Sequence, residues 1–385
     1  MPFSAAVAET IIIDPATNPG SNEMETFSVP TDSSARIISG NGLAVNDGGI
    51  SIGSLYVGMD SNGAANGQVF VETTAADNYS IRSNGDISIT GLLQVLEGHS
   101  LGIGAKTSGG TIGNVEIGTI TANGDLILQD IGSLSTGNIT TWADLDITAN
   151  TIGTYGTIFL RGGDATFNVT NDMLVKEDFI TDGGGTFEIN VGSLYVGEPV
   201  LRGGALGGTF QNKDGSVIIE SDGVIESVGS FENSGELLKI VGTDMTVGGT
   251  MKNDSNSGTM TLVLDNWTVN GGSGNNASFV NKGNFGAVVY GDTYLANGFD
   301  LSAMTADNTF SLHTGTLVMD GGEDRLLQVF ANNILKSFEL VVYDGTITAG
   351  NIINGQGSSE ANMTLGAGDD ITADLIQNYG QELYK

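Results

Sequence analysis

Hydrophobic and polar residues alternate along this chain over short runs, as in Ala143-Asp144-Leu145-Asp146. Side chains two positions apart lie on one side of a strand, so such runs predict half-buried β-strands. Gly, Asn and Asp punctuate the runs, which predicts a tight turn after each strand. The alternation also recurs on a longer scale. Gly208-Thr209-Phe210-Gln211-Asn212, Gly229-Ser230-Phe231-Glu232-Asn233, Gly249-Thr250-Met251-Lys252-Asn253 and Ala277-Ser278-Phe279-Val280-Asn281 share one grammar. Each is a small residue, Ser or Thr, a large apolar residue, any residue, then Asn. A glycine follows every copy, at Gly215, Gly235, Gly258 and Gly283. Successive asparagines are spaced 21, 20 and then 28 apart.

Three short strands and three turns consume about 20 residues, and coils of that size stack at the inter-strand distance of roughly 4.8 Å. The pattern therefore predicts an all-β fold, a parallel β-helix (β-solenoid) with coils of about 20 residues. Phe210, Phe231, Met251 and Phe279 are expected to form a core stack, and Asn212, Asn233, Asn253 and Asn281 a buried amide ladder. The longest step, from Asn253 to Asn281, reads as one coil plus an insertion at Asn270 to Asn275. Earlier in the chain, the gap from Asp86 to Asp125 reads as two coils and that from Asp125 to Asp144 as one. Gly53-Ser54-Leu55-Tyr56-Val57-Gly58 recurs letter for letter at 192–197. The reading divides the chain into an N-terminal cap or donated strand at 1–36, solenoid repeats at 37–300, and a solenoid continuation with cap at 301–385.

The last third carries Gly315-Thr316-Leu317-Val318-Met319, Phe338-Glu339-Leu340-Val341-Val342 and Gly345-Thr346-Ile347-Thr348. With the Phe-x-Asn coils, this pattern resembles the degenerate repeats of bacterial β-helical surface proteins, namely filamentous-haemagglutinin-like adhesins and autotransporter passengers. The resemblance covers roughly residues 190–350 and is one of repeat grammar. It implies a secreted protein at the cell surface. Neither a C-terminal membrane-barrel pattern nor the N-terminal secretion motifs of two-partner systems are seen.

Charge narrows the partners. Asp and Glu number 45 against 13 Lys and Arg, for a net charge of −32. Phosphate binding needs clustered basic residues, and none occur at 1–35 or between Lys106 and Arg161. Nucleic acid is excluded on that ground, and no apolar run is long enough for membrane insertion. The acidity suits solubility and also binding of Ca2+, a hard cation that prefers oxygen ligands. Asp369 and Asp370, in Leu365-Gly366-Ala367-Gly368-Asp369-Asp370-Ile371, are half-similar to one calcium-binding nonapeptide of RTX proteins. With no cysteine, thiolate metal sites and disulfides are absent.

Catalytic constellations are scarce. His99 and His313 are the two histidines, and no Gly-x-Ser-x-Gly elbow accompanies them. Both are expected to be solvent-facing. Trp142 and Trp267 are assigned to packing, with sugar stacking as the alternative. Outside the repeats, Ile11, Ile12 and Ile13 form an expected strand, either a cap or a strand donated to a neighbouring copy. The expected function is that of a non-enzymatic structural or adhesive protein that polymerises with itself and engages surface glycans. The alternative is a carbohydrate-binding or -cleaving β-helix such as a phage tailspike.

Overall fold

A computed structural model describes, with side chains, residues 81, 86–105, 110–198, 207–271, 277–301, 303–304, 308–318, 339–344 and 366–368, and by backbone alone further strands such as Thr10–Ile13 and Ser34–Ser39. The fold is all-β, a parallel sheet coiled as a β-solenoid with roughly 22-residue spacing. Two compact units are present, 1–174 and 175–385.

In the first unit the strands form three columns. One runs through Val69, Leu93, Ile120, Ile139 and Ile158. A second runs through Tyr79, Leu101, Leu126 and Leu145. The third runs through Phe27, Leu55, Ile87, Val115, Leu134 and Ile152. Coil length is uneven here. Ser34 pairs with Gln68 and Ile87 with Val115, both longer steps than the average coil, before the step from Val115 to Leu134 falls below it. This corrects the reading of Asp86. Asp86 precedes Ile87 on the third column, whereas Asp125 pairs with Ser100 on the second. The gap between them is therefore not two coils.

The second unit repeats the three-column plan. Phe179, Phe210, Phe231, Met251, Phe279 and Phe299 are register partners on the first column. Phe187, Val217, Leu238, Met260, Phe285 and Phe310 follow one another on the second. Leu194, Ile225, Met245, Trp267 and Thr293 form the third. The alternation does the sorting. In Thr259–Leu264, Met260, Leu262 and Leu264 are buried while Thr259, Thr261 and Val263 are only partly so. The long step from Met251 to Phe279 has two sources. The turn before Thr259 is longer than its predecessor before Leu237, and the rest enters between Val269 and Phe279.

Glycine marks the corners because neighbouring coils leave no room for a Cβ. At Gly235 that atom would lie 2.5 Å from Asn212 Nδ2 and 2.7 Å from Gly215 O; at Gly258 it would lie 2.5 Å from Gly235 O. A second signal recurs immediately before buried positions, where an Asp or Asn side chain grips the backbone of the following coil. Asp144 Oδ1 accepts from Asp164 N–H at 2.9 Å, and Asn138 Oδ1 from Thr157 N–H at 2.8 Å. Asn266 Oδ1 does the same for Asp292 N–H at 2.9 Å. Each satisfies a donor that the corner would otherwise leave unpaired.

Candidate functional site

The interior of the second unit holds a continuous column of polar side chains. Thr181 Oγ1 donates to Asn212 Oδ1 at 2.7 Å, and Asn212 Nδ2 donates to Asn233 Oδ1 at 2.7 Å. Asn233 Nδ2 donates to Asn253 Oδ1 at 2.9 Å, and Asn253 Nδ2 to Asn281 Oδ1 at 2.7 Å. Asn281 Nδ2 ends the run on Gly283 O at 2.8 Å. Backbone carbonyls fix the amide orientation, since Asn212 Nδ2 also faces Leu237 O and Asn253 Nδ2 faces Asn284 O. Every donor points the same way, so the bonds polarise one another in a low-dielectric interior.

Beside the amides runs the apolar stack. Phe179 and Phe210 lie 5.2 Å apart between ring centroids, and Phe210 and Phe231 4.3 Å apart at 7° between planes. Met251 takes the next position and Phe279 the one after. Offset-parallel rings at such spacing are favourable, and the coil rise imposes it. Trp267 packs edge-on to Phe279 at 5.4 Å, wholly buried, with Nε1 lacking a hydrogen-bond partner. That tryptophan is a core residue and is closed to sugars.

The surface is organised by coil-to-coil pairs. Lys239 reaches Glu220 at 3.5 Å, Lys252 reaches Glu232 at 3.0 Å, and Lys282 pairs with Asp254. Each lysine thus offsets an acid on the preceding coil. His313 meets a neighbour through each ring nitrogen, Nδ1 hydrogen-bonding Tyr343 Oη at 3.0 Å and Nε2 lying 3.3 Å from Glu339 Oε2. Tyr343 and Tyr290 are 57% and 70% exposed. In the first unit Trp142 is 43% exposed, and the Arg161 guanidinium lies 5.5 Å from its ring centroid and 4.4 Å from that of Phe159.

The sequence candidates fall as follows. Phe210, Phe231, Met251 and Phe279 line one buried column, and Asn212, Asn233, Asn253 and Asn281 line another beside it. Ile11, Ile12 and Ile13 lie in the strand Thr10–Ile13, which pairs in parallel with Ser34–Ile37 of the same chain; their side chains are outside the described residues. Asp369 and Asp370 are also outside the described residues. Among the described residues no group of three or more His, Asp or Glu is placed to hold a metal ion. Sequence reasoning missed the Tyr343–His313–Glu339 network, in which His313 is far in sequence from the other two and joins them only through strand register. It also missed Arg161 as the partner of Trp142, a pairing signalled by their one-coil separation.

These features define a β-solenoid protein, consistent with β-helical proteins in general. Comparisons with protein-family models, with curated proteins and with solved structures give no match.

Proposed function

We propose that the protein is a secreted, non-enzymatic surface protein of the structural or adhesive class, which assembles with copies of itself into a filament or lattice. One observation carries the reading. The described pairings between strands are parallel and run coil to coil, and Thr10–Ile13, Glu23–Met24 and Phe27–Val29 each have a partner on one edge within the chain. A coil edge of this kind templates another coil. Addition by one copy to the other end of the next is a head-to-tail contact, which propagates as a filament. Because Thr10–Ile13 is already paired to its own chain, edge-to-edge stacking fits better than transfer of Ile11, Ile12 and Ile13 into a neighbour. The net charge of −32 opposes the contact, so divalent cations, Ca2+ among them, are expected to promote it by screening. Asp369 and Asp370 remain the sequence's candidates for such an ion.

The test is electron microscopy and sedimentation of the full chain in Ca2+ and in chelator. Filaments or sheets are expected in Ca2+. Ile12→Pro, with an unchanged β-type circular dichroism spectrum, should abolish them. Discrete particles under every condition would refute self-assembly. A second reading, a carbohydrate-binding or -cleaving β-helix of the tailspike kind, is favoured by the exposed Trp142 with its stacked Arg161. It predicts trimers and glycan cleavage.

A further inference from the structure

We propose that the corner of the first unit carrying Asn123, Trp142 and Arg161 is a binding site for a chain of neutral hexoses. The inference rests on the adhesive half of the proposed function and is independent of self-assembly. Ala122, Thr141 and Leu160 are register partners on three successive coils. The residues that follow them therefore form a row along the solenoid: an amide, an indole and a guanidinium. Two coil steps of about 4.8 Å give the row a length of about 10 Å, that of a disaccharide.

The row is rigid. Trp142 sits at the tip of a turn in which Thr141 Oγ1 donates to Ala143 O at 2.8 Å and accepts from Ala143 N–H at 3.2 Å. Thr141 is itself buried, Trp142 N–H donates to Ala122 O at 2.8 Å, and Arg161 N–H donates to Thr141 O at 2.8 Å. The turn after Arg161 is glycine for a reason. A Cβ at Gly162 would lie 2.8 Å from Trp142 O, and one at Gly163, where φ is +67°, 2.5 Å from Ala143 C. Those glycines bring the Arg161 coil hard against the Trp142 turn. A turn whose backbone is held this way needs little ordering on binding.

The chemistry fits a polyhydroxylated, uncharged ligand. An exposed indole face packs against the C–H face of a pyranose ring. Among the described residues Arg161 makes no ion pair with a carboxylate, even in so acidic a chain. Its guanidinium lies 5.5 Å from the Trp142 ring centroid and 4.4 Å from that of Phe159, and the residue is exposed, so its N–H donors can reach ligand hydroxyls. Asp125 and Asp144 are exposed and use Oδ1 to bond the following coil at 3.4 and 2.9 Å. Their Oδ2 atoms are left to accept from hydroxyls. Three carboxylates (Asp125, Asp144 and Asp164) against one guanidinium disfavour uronates and sulfated sugars.

The two tryptophans make the test clean, because Trp267 is fully buried and Trp142 is the accessible one. The full chain is titrated with cellohexaose, maltohexaose, mannohexaose and a galactose hexamer, and with oligogalacturonate as the charged comparison. Acrylamide quenching reports Trp142, and calorimetry gives affinities for the variants. At least one neutral oligomer should protect Trp142 from quenching. Trp142→Ala and Arg161→Ala should each weaken binding by about tenfold or more, Trp142→Phe by less, and Tyr155→Ala not at all. Failure of every neutral oligomer to bind at about 10 mM, binding indifferent to both substitutions, or preference for oligogalacturonate would each overturn the site. Filaments without sugar binding would remove this inference alone, and sugar binding without filaments would remove only the assembly reading.

Discussion

Asn233 is the residue whose replacement tests the amide column most directly. It is 0% exposed, accepts from Asn212 Nδ2 and donates to Asn253 Oδ1. Asn233→Ala deletes two buried amide–amide bonds at about 1 kcal/mol each. Asn212 Nδ2 keeps Leu237 O as an acceptor, but Asn253 Oδ1 loses the donor it has. A stranded buried acceptor adds about 1–3 kcal/mol, so the expected loss is roughly 3–5 kcal/mol. Asn233→Asp keeps the shape and separates charge from packing. Ionised, it buries a negative charge and sets an oxygen against Asn253 Oδ1. Protonated, its O–H replaces the lost Nδ2 donor. The folded state therefore raises the pKa of this carboxyl above its unfolded value of about 3.9.

The sign of the pH effect follows. A raised folded pKa gives stability that is fully present below the unfolded pKa and is lost as pH rises through the folded one. The deficit of Asn233→Asp relative to the native chain should be smallest below about pH 4 and widen towards neutrality, by about 1.4 kcal/mol per unit of raised pKa. Urea unfolding in a Trp142→Phe background, followed by Trp267 fluorescence, reads the second unit alone. Comparing native and variant chains at each pH cancels the titration of the other carboxylates. A deficit that widens on acidification, or an Asn233→Ala cost below about 1 kcal/mol, would refute the argument that the amides act as a closed donor–acceptor chain.

Other positions give sharper contrasts between neighbours. Gly235→Ala places its Cβ 2.5 Å from Asn212 Nδ2 and should cost roughly 1–3 kcal/mol in the same urea assay. Gly286→Ala, in the same unit and with nothing within 4 Å of the new atom, should stay within about 0.5 kcal/mol of native. Phe231→Ala empties a wholly buried place in the ring stack and should cost about 3–5 kcal/mol, whereas Met251→Leu should cost under about 1.5 kcal/mol. Lys252→Ala breaks a partly exposed pair with Glu232, so its effect should be under about 1 kcal/mol and vanish in molar salt.

What the sequence reveals depends on how closely chemistry is tied to coil length. Fold class was legible because alternation, corner glycines and a near-constant step all report the same geometry. Asn212 and Asn233 stand out because an amide recurs two places after a ring at that step. Thr181, which heads their column, does not stand out: its step to Asn212 is longer than a regular coil, and a hydroxyl replaces the amide. The same loss of constancy hid the N-terminal coils, where the long steps from Ser34 to Gln68 and from Ile87 to Val115 blur the period. Surface features were harder still, because nothing in the core constrains their spacing. Tyr343, His313 and Glu339 meet only because Ser311 and Glu339 are register partners, as are His313 and Val341. Trp142 and Arg161 are the informative exception. They stand one coil apart, so in a solenoid any two residues at that separation should be read as neighbours. Applied to the acids, the rule pairs Asp125 with Asp144, which the backbone joins, and separates both from Asp86, which a bare count of residues had placed in line. Coil register, rather than distance along the chain, decides which side chains can share one site.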